Sequence, residues 1–134
     1  MSRLAHGVVA RFNVPFELVV EAVKSIGEAS NVYWEVLSSN PRIALFVGEK
    51  YFFRTDNSLA ATTIVIDRKE YTLVKVVATG GSGRGLNALF DFGASRAYAR
   101  IVLDKIARRT NAKPEVIAEV DYLDSESAQK LHVA

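Results

Sequence analysis

The alternation of apolar and polar residues predicts a strand followed by an amphipathic helix at the start of the chain. His6–Phe12 is mostly apolar and β-branched, a composition typical of strands. A helix is predicted to begin around 13–15, because a first helical turn accommodates the proline found there. It is predicted to end at Gly27 or Ser30. Its apolar residues recur at three- and four-residue spacing on one stripe: Phe16, Val19, Val20, Val23 and Ile26.

The pattern in the middle of the chain predicts a meander of antiparallel strands separated by turn-forming residues. The predicted strand segments are 32–37, 42–47, 50–54, 59–66 and 71–78. Gly48 is interpreted as a break, and 67–70 as a hairpin loop. In the first segment the alternation places Val32, Trp34 and Val36 on one face, which is predicted to be covered.

A second amphipathic helix follows a glycine-rich stretch. Its apolar stripe includes Ala94, Ala97, Tyr98, Ile101, Val102 and Ile106 together with the stem of Lys105. Residues 86–92 are interpreted as a connection before the helix, and 110–114 as its end. Beyond it, 115–123 is predicted to be a last edge strand, and 124–134 a flexible tail or a short helix.

With the middle segments counted as four strands, the order is β-α-β-β-β-β-α with a possible terminal strand, and it predicts one α+β domain over residues 1–134. We expect an antiparallel sheet of about five or six strands with both helices on one face. Two arrangements stay open: a helix-grip-like sheet curved around the second helix, and a flatter two-layer sandwich. The curved form has room for an apolar ligand, but aromatic side chains are predicted to fill it: Trp34, Tyr51, Phe52 and Phe53.

Composition excludes several functional classes. The 134 residues include no cysteine, which removes disulfides, thiolate metal centres and cysteine nucleophiles. Hydrophobic residues make up 49% and charged residues 24%, as in ordinary soluble chains, and the formal charge is only +2. No apolar run has the roughly 18 residues of a membrane span, and 1–11 lacks a signal-peptide layout. We therefore expect a cytoplasmic protein with no membrane association, no cofactor and no metal.

The segment "GGSGRG" is the strongest candidate for a binding site. It lacks the closing lysine and hydroxyl residue of a P-loop, and its setting in a meander does not fit a dinucleotide fold. Successive glycine N–H groups can nevertheless form a concavity for an anion, and an arginine beside them adds charge. The competing interpretation is a backbone corner without a ligand. The candidate residues are Gly80, Gly81, Ser82, Gly83, Arg84, Gly85 and Asp91.

Asp91 and Ser95 have a second interpretation, since either side chain can cap the N-terminus of a helix. Catalytic machinery is poorly represented elsewhere, because His6 and His132 lie near the two ends of the chain. Glu49, Asp56, Asp67 and Asp91 lie beside predicted turns, where acids are commonly solvated or capping. The sequence therefore names no catalytic residue, and an enzyme is the less favoured class.

Several segments together resemble a small family of functionally uncharacterised bacterial and archaeal domains. The resemblance covers roughly residues 50–105 and is carried by "RTDNS", the glycine-rich segment and "FDFGA". The family usually has tryptophan at the position of Phe92, which keeps the bulk but departs from the pattern. Since the family has no established activity, the resemblance implies a shared fold and loop and no reaction.

The sequence favours a non-catalytic ligand-binding or protein-interaction module, with a small anionic ligand at the glycine-rich loop. A first alternative is an enzyme or carrier with an apolar pocket between the sheet and the C-terminal helix. A second is nucleic-acid binding through the basic helix 96–109, although Asp104 interrupts its cations. The cations involved are Arg96, Arg100, Arg108 and Arg109. The partner is an unknown small molecule or protein, and an exposed edge strand leaves homo-oligomerisation open.

Overall fold

A computed structural model describes residues 4–26, 30–52, 57–80 and 87–133. In chain order its elements are β1 (His6–Phe12), α1 (Phe16–Lys24), β2 (Ser30–Ser39), β3 (Arg42–Phe52), β4 (Asn57–Asp67), β5 (Thr72–Gly80), α2 (Asn87–Thr110), β6 (Glu115–Val120) and a C-terminal 3-10 helix (Ser127–Leu131). The described strands form one antiparallel sheet in the order β2-β3-β4-β5-β1-β6. The predicted α+β class is confirmed.

Both helices cover the same face of the sheet. Alternate residues of β1, Val8, Ala10 and Phe12, point into the core that also receives the predicted apolar stripe of α1. The sheet-facing side of α2 completes this core with Tyr98, Ala99, Val102, Leu103 and Ile106. The expectation that the two helices lie on one face is therefore confirmed, because one cluster contains the buried residues of both.

The opposite face of the sheet carries a smaller apolar cluster near β6. Val9, Leu73 and Val120 pack there against Leu131 of the 3-10 helix. A Cβ atom at Gly7 would collide with the Leu131 side chain, so the 3-10 helix approaches β1 at a position without a side chain. The C-terminal segment thus covers the sheet at this edge, on the face away from α1 and α2.

The break predicted at Gly48 is wrong. The strand β3 runs through it without interruption, and Gly48 pairs with Ala61 of β4 and with Asn31 of β2. A central strand has a ladder on each side, so these hydrogen bonds override the local preference of one glycine.

The start predicted for the second helix is also wrong. Helix α2 begins at Asn87, so the supposed connection 86–92 lies almost wholly within it. Asp91 and Ser95 are interior residues of this helix, and neither is its N-cap. Helix stability here comes from packing along many turns, which a local scan of the sequence underestimates.

The covered face predicted for the 32–37 segment is the third error. Val32, Trp34 and Val36 are all exposed, and Tyr51, expected in the core, is exposed as well. The helices pack over the central strands: α1 lies mainly on β3 and β4, and α2 on β1, β4 and β5. Strand β2 is outermost in the sheet, and α1 reaches it only through its last turn: Lys24 Nζ lies 4.5 Å from the Trp34 ring centroid, and Asn31 Nδ2 donates to the Val23 carbonyl oxygen, among the described residues.

Candidate functional site

The predicted glycine-rich site begins at the end of β5. Gly80 has a φ of 132°, and a Cβ there would come within 3.1 Å of the Leu59 Cα and the Ser58 carbonyl oxygen. A glycine is favoured at this position by its backbone geometry, whether or not a ligand binds nearby. Gly81, Ser82, Gly83, Arg84 and Gly85 lie outside the described residues, as does the side chain of Asp91.

The arginines of α2 do not act as one free basic surface. Arg96 and Arg108 are exposed, but Arg100 donates a hydrogen bond from Nη2 to Glu119 Oε1 at 2.8 Å. Asp104 lies on the same ridge, since residues four apart share a helix face. The ion pair and this acid reduce the positive charge on which the nucleic-acid alternative depends.

A cluster of ionisable side chains that the sequence did not indicate surrounds the buried His6 and joins β1, β6 and α2. His6 is fully buried, with Nε2 2.7 Å from Glu119 Oε2 and Nδ1 3.0 Å from Asp121 Oδ1. Glu119 is shared, because its other oxygen accepts from Arg100. The only signal in the sequence is the alternation Glu119-Val120-Asp121, which places two acids on one side of a strand.

This ionic cluster fastens the last strand to the rest of the molecule. Both oxygens of Glu119 are engaged, and His6 is closed off from solvent, so a substrate has no direct approach to its ring. Within the described ranges, no group of three His, Asp or Glu side chains is placed to hold a metal ion. The arrangement is that of a structural ion network between two strands and a helix.

A row of small residues crosses the helix-covered face of the sheet next to this cluster. Gly48 of β3 pairs with Ala61 of β4, Ala61 with Ala78 of β5, and Ala78 with His6 of β1. Helix α2 contributes short buried side chains to the same core: Ala94, Ser95 and Ala99. The side chains that helix and sheet contribute at this end are therefore short on both layers, apart from the ring of Tyr98.

Two hydroxyl groups on the buried side of α2 lack hydrogen-bond partners. Ser95 is 0% exposed and Tyr98 1% exposed, and neither hydroxyl is paired within the described part of the chain. They lie one helical turn apart, and the Tyr98 ring packs 6.1 Å from that of Phe52. Burial, with a contribution from the Glu49 carboxylate, raises the pKa of Tyr98 to about 12. Tyr98 is therefore a protonated donor at neutral pH.

A shallow cleft of about 460 Å³ lies at the other end of the sheet, between the β2–β3 and β4–β5 turns. Its central cation, Arg42, contacts Asp67 at 2.8 Å and Glu17 at 3.2 Å. The Lys69 backbone N–H and the Arg42 guanidinium hold the pKa of Asp67 below its usual value. Because Arg42 is already paired with two carboxylates, this side chain is a weak candidate for binding an anion.

A scan of family models and a search of curated proteins gave no match. Two solved structures are distantly similar in shape. A crystal structure of a protein from Thermus thermophilus has 12% identity and a TM-score of 0.43, covering 80% of this chain and 97% of that one. A conserved protein from Geobacillus kaustophilus has 9% identity and a TM-score of 0.41, covering 83% of this chain and 99% of that one. At these values neither likeness indicates a function.

No helix within the described residues has both the length and the apolar composition that crossing a bilayer demands.

Proposed function

We propose that the chain is a non-catalytic binding module that holds a small molecule between α2 and the sheet. The ligand is mainly apolar and carries an oxygen acceptor, either a carbonyl or a carboxylate. The observation that carries the proposal is the pair of buried hydroxyls of Ser95 and Tyr98, for which the described residues provide no hydrogen-bond partner. A ligand oxygen between them accepts two hydrogen bonds, while its apolar part lies against the row of small residues.

The energetic argument rests on the cost of burying a donor without an acceptor. Each such hydroxyl costs on the order of 1–3 kcal/mol in a folded protein. Two of them, one turn apart and facing the same core, are therefore unusual unless something pairs with them. Small-molecule sites typically combine an apolar lining with a few polar groups that fix orientation, and this end of the helix–sheet layer has both.

The glycine-rich segment predicted from the sequence is compatible with the same proposal. Strand β5 passes through the small-residue row at Ala78 and reaches Gly80 two residues later. A carboxylate on the ligand would suit both the hydroxyl pair and an anion-binding loop that includes Arg84. The roles of Arg84 and Asp91 stay predictions.

Calorimetry and thermal denaturation with straight-chain alkanoic acids test the proposal, with alkylamines of equal length as matched controls. We expect the acids to bind and to raise the melting temperature, and the amines to have little effect because they provide no oxygen acceptor. Ser95→Ala and Tyr98→Phe should each weaken acid binding by on the order of tenfold.

The unliganded variants give a second readout. Because each substitution removes an unpaired buried hydroxyl, the melting temperature without ligand should stay unchanged or rise. Tyr33→Phe, which alters an exposed tyrosine, is the control for binding. Equal binding of acids and amines, or acid binding that survives both substitutions, would contradict the proposal. Arg84→Ala separately tests the loop, since it should weaken binding of the acids only if the loop takes part.

A further inference from the structure

Strand β2 exposes a large apolar surface at one edge of the sheet. Five of its ten residues are large and apolar with exposed fractions between 44% and 62%: Val32, Tyr33, Trp34, Val36 and Leu37. Sheet edges are usually protected by charge, proline or short length. This strand is long, has no proline and carries Glu35 as its only charged residue.

The side chains of β2 lie on both faces of the sheet. Trp34 and Val36 pair across from core residues of β3 and so lie on the helix-covered face, where Trp34 stacks on Phe46 at 5.7 Å. Tyr33 and Glu35 lie on the opposite face, where the tyrosine hydroxyl donates to the carboxylate. The 33–36 stretch pairs regularly with β3, and register shifts flank it on both sides.

We propose that this surface is covered by a second copy of the chain, through antiparallel pairing of β2 with β2 of the partner. The inference is independent of the ligand site proposed above. A two-fold axis perpendicular to the sheet makes neighbouring strands antiparallel and keeps the helices of both copies on one side. The two six-stranded sheets then join into one continuous sheet.

Charge selects the register of this pairing. With the axis at Trp34, each Trp34 lies opposite its own copy, Val32 lies opposite Val36, and Tyr33 lies opposite Glu35. A shift that moves the axis to Glu35 would place two carboxylates directly opposite each other, which is destabilising in a sheet. The favoured register instead puts a hydroxyl donor opposite each carboxylate, the same pairing that Tyr33 and Glu35 make within one strand.

The area available is sufficient for a weak but specific dimer. With side chains of this size about half exposed, the five residues offer on the order of 400–500 Å² per copy, against about 800 Å² for a standard interface. The backbone of β2 contributes further area and hydrogen bonds. We therefore expect a dissociation constant in the micromolar range.

Analytical ultracentrifugation of the full chain tests the proposal. The average mass should rise from one chain toward two between low micromolar and near-millimolar concentrations. Trp34→Lys should raise the dissociation constant at least about tenfold, because the axis places the two new lysines directly opposite each other. Val36→Lys should raise it at least about tenfold as well, because a charge then replaces the apolar side chain that faces Val32 of the partner subunit. Val116→Lys, at 39% exposure on the other edge strand β6, should leave it unchanged.

Far-UV circular dichroism checks that the variants are folded. Val36→Lys is used beside Trp34→Lys because Trp34→Lys also removes the stacking of Trp34 on Phe46 and could destabilise the monomer. A wild-type chain that stays monomeric throughout overturns the proposal. So does a dimer that Val36→Lys and Val116→Lys weaken to the same extent.

Disulfide cross-linking tests the register separately. The chain contains no cysteine, so an introduced cysteine can link only to another introduced cysteine. Tyr33→Cys mixed with Glu35→Cys should form a disulfide-linked heterodimer faster than either variant cross-links with itself. Directly opposite residues have Cα atoms about 4.5–5.5 Å apart, within disulfide range, whereas identical positions in this register are offset diagonally. Faster self-linking of either variant overturns the register, and failure of every combination to cross-link overturns the interface.

Discussion

The two edges of the sheet are stabilised in different ways. Strand β6 has six residues and is held on both faces: His6 and Arg100 bind Glu119 on one side, and the segment ending in Leu131 covers the other. Strand β2 has ten residues and exposes apolar side chains on both faces. The edge with more charge is thus tied to the rest of the molecule by side-chain contacts, and the more apolar edge leaves five large apolar side chains exposed.

The difference indicates what each edge contributes to the monomer. Side-chain burial and ion pairing stabilise β6 beyond its backbone ladder with β1. Strand β2 depends more on its ladder with β3, since about half of the surface of its five large apolar side chains stays in water. Removing the same type of side chain from β6 and from β2 should therefore lower the free energy of unfolding by different amounts.

The largest expected effect is that of Leu131→Ala. This buried side chain fills the cluster over β1 and β6, so its removal leaves a cavity and should lower the free energy of unfolding by about 2–5 kcal/mol. Leu37→Ala on β2 is the matched control and should change it by no more than about 0.5 kcal/mol in the monomer. Urea denaturation at low protein concentration measures both, and equal losses would remove the distinction between the edges.

Glu119→Gln should have the next largest effect. The substitution removes the negative charge shared by His6 and Arg100, and we expect a loss of about 1–3 kcal/mol in the free energy of unfolding. The matched change on β2 is Glu35→Gln, whose partner Tyr33 is exposed. Chemical denaturation of the two variants side by side should show a much smaller loss for Glu35→Gln; the reverse ranking would mean that the buried cluster is not stabilising.

A smaller effect is expected at Asp67, which pairs with Arg42 at the hairpin end of β2 and β3. Its pKa is lowered in the folded protein, first by the Lys69 N–H and then by Arg42. The stabilisation is therefore present above the carboxyl's ordinary pKa, about 4, and is lost as the pH falls through the lowered value.

For Asp67→Asn we expect a loss at neutral pH smaller than that of Glu119→Gln, because Glu119 also contacts the fully buried His6 and Asp67 pairs with the partly exposed Arg42. The loss should vanish in acid, where the wild type is protonated too. Denaturation curves at several pH values measure it, and a loss that persists at low pH would assign the effect to packing.

The smallest expected effect is a change in the pKa of Tyr33, which forms an exposed hydrogen bond with Glu35 on β2. The hydrogen bond to Glu35 raises the pKa of Tyr33, because it stabilises the protonated phenol. In Glu35→Gln this pKa should move back toward the ordinary value for tyrosine, which an ultraviolet titration of the phenolate can follow. Tyr33→Phe identifies the signal, and an unchanged titration in Glu35→Gln would mean that the two side chains do not interact in solution.

Local patterns in the sequence were sufficient for most of the fold. The strand His6–Phe12, the apolar stripe of α1 and the hairpin at 67–70 follow from side-chain periodicity and turn chemistry within short windows. Gly48 and the first turns of α2 were misjudged because cross-strand ladders and long-range packing outweighed local preference there.

The candidate sites depended on contacts between residues far apart in the chain. His6 and Glu119 are 113 positions apart, and no periodicity links them until β6 pairs beside β1. Likewise, the packing of α2 against the sheet, and not the helical pattern itself, buries the hydroxyls of Ser95 and Tyr98. The glycine-rich loop remains a prediction from its sequence.

The sequence by itself determined the element types, their order and the single helix-covered face, because periodicity and turn residues act over a few neighbouring positions. Tertiary structure alone decided which strands became edges, and therefore which apolar residues stayed in water. The alternating pattern of β2 is the same whether a neighbour covers it or not, since a strand's periodicity reports its two faces and not its place in the sheet.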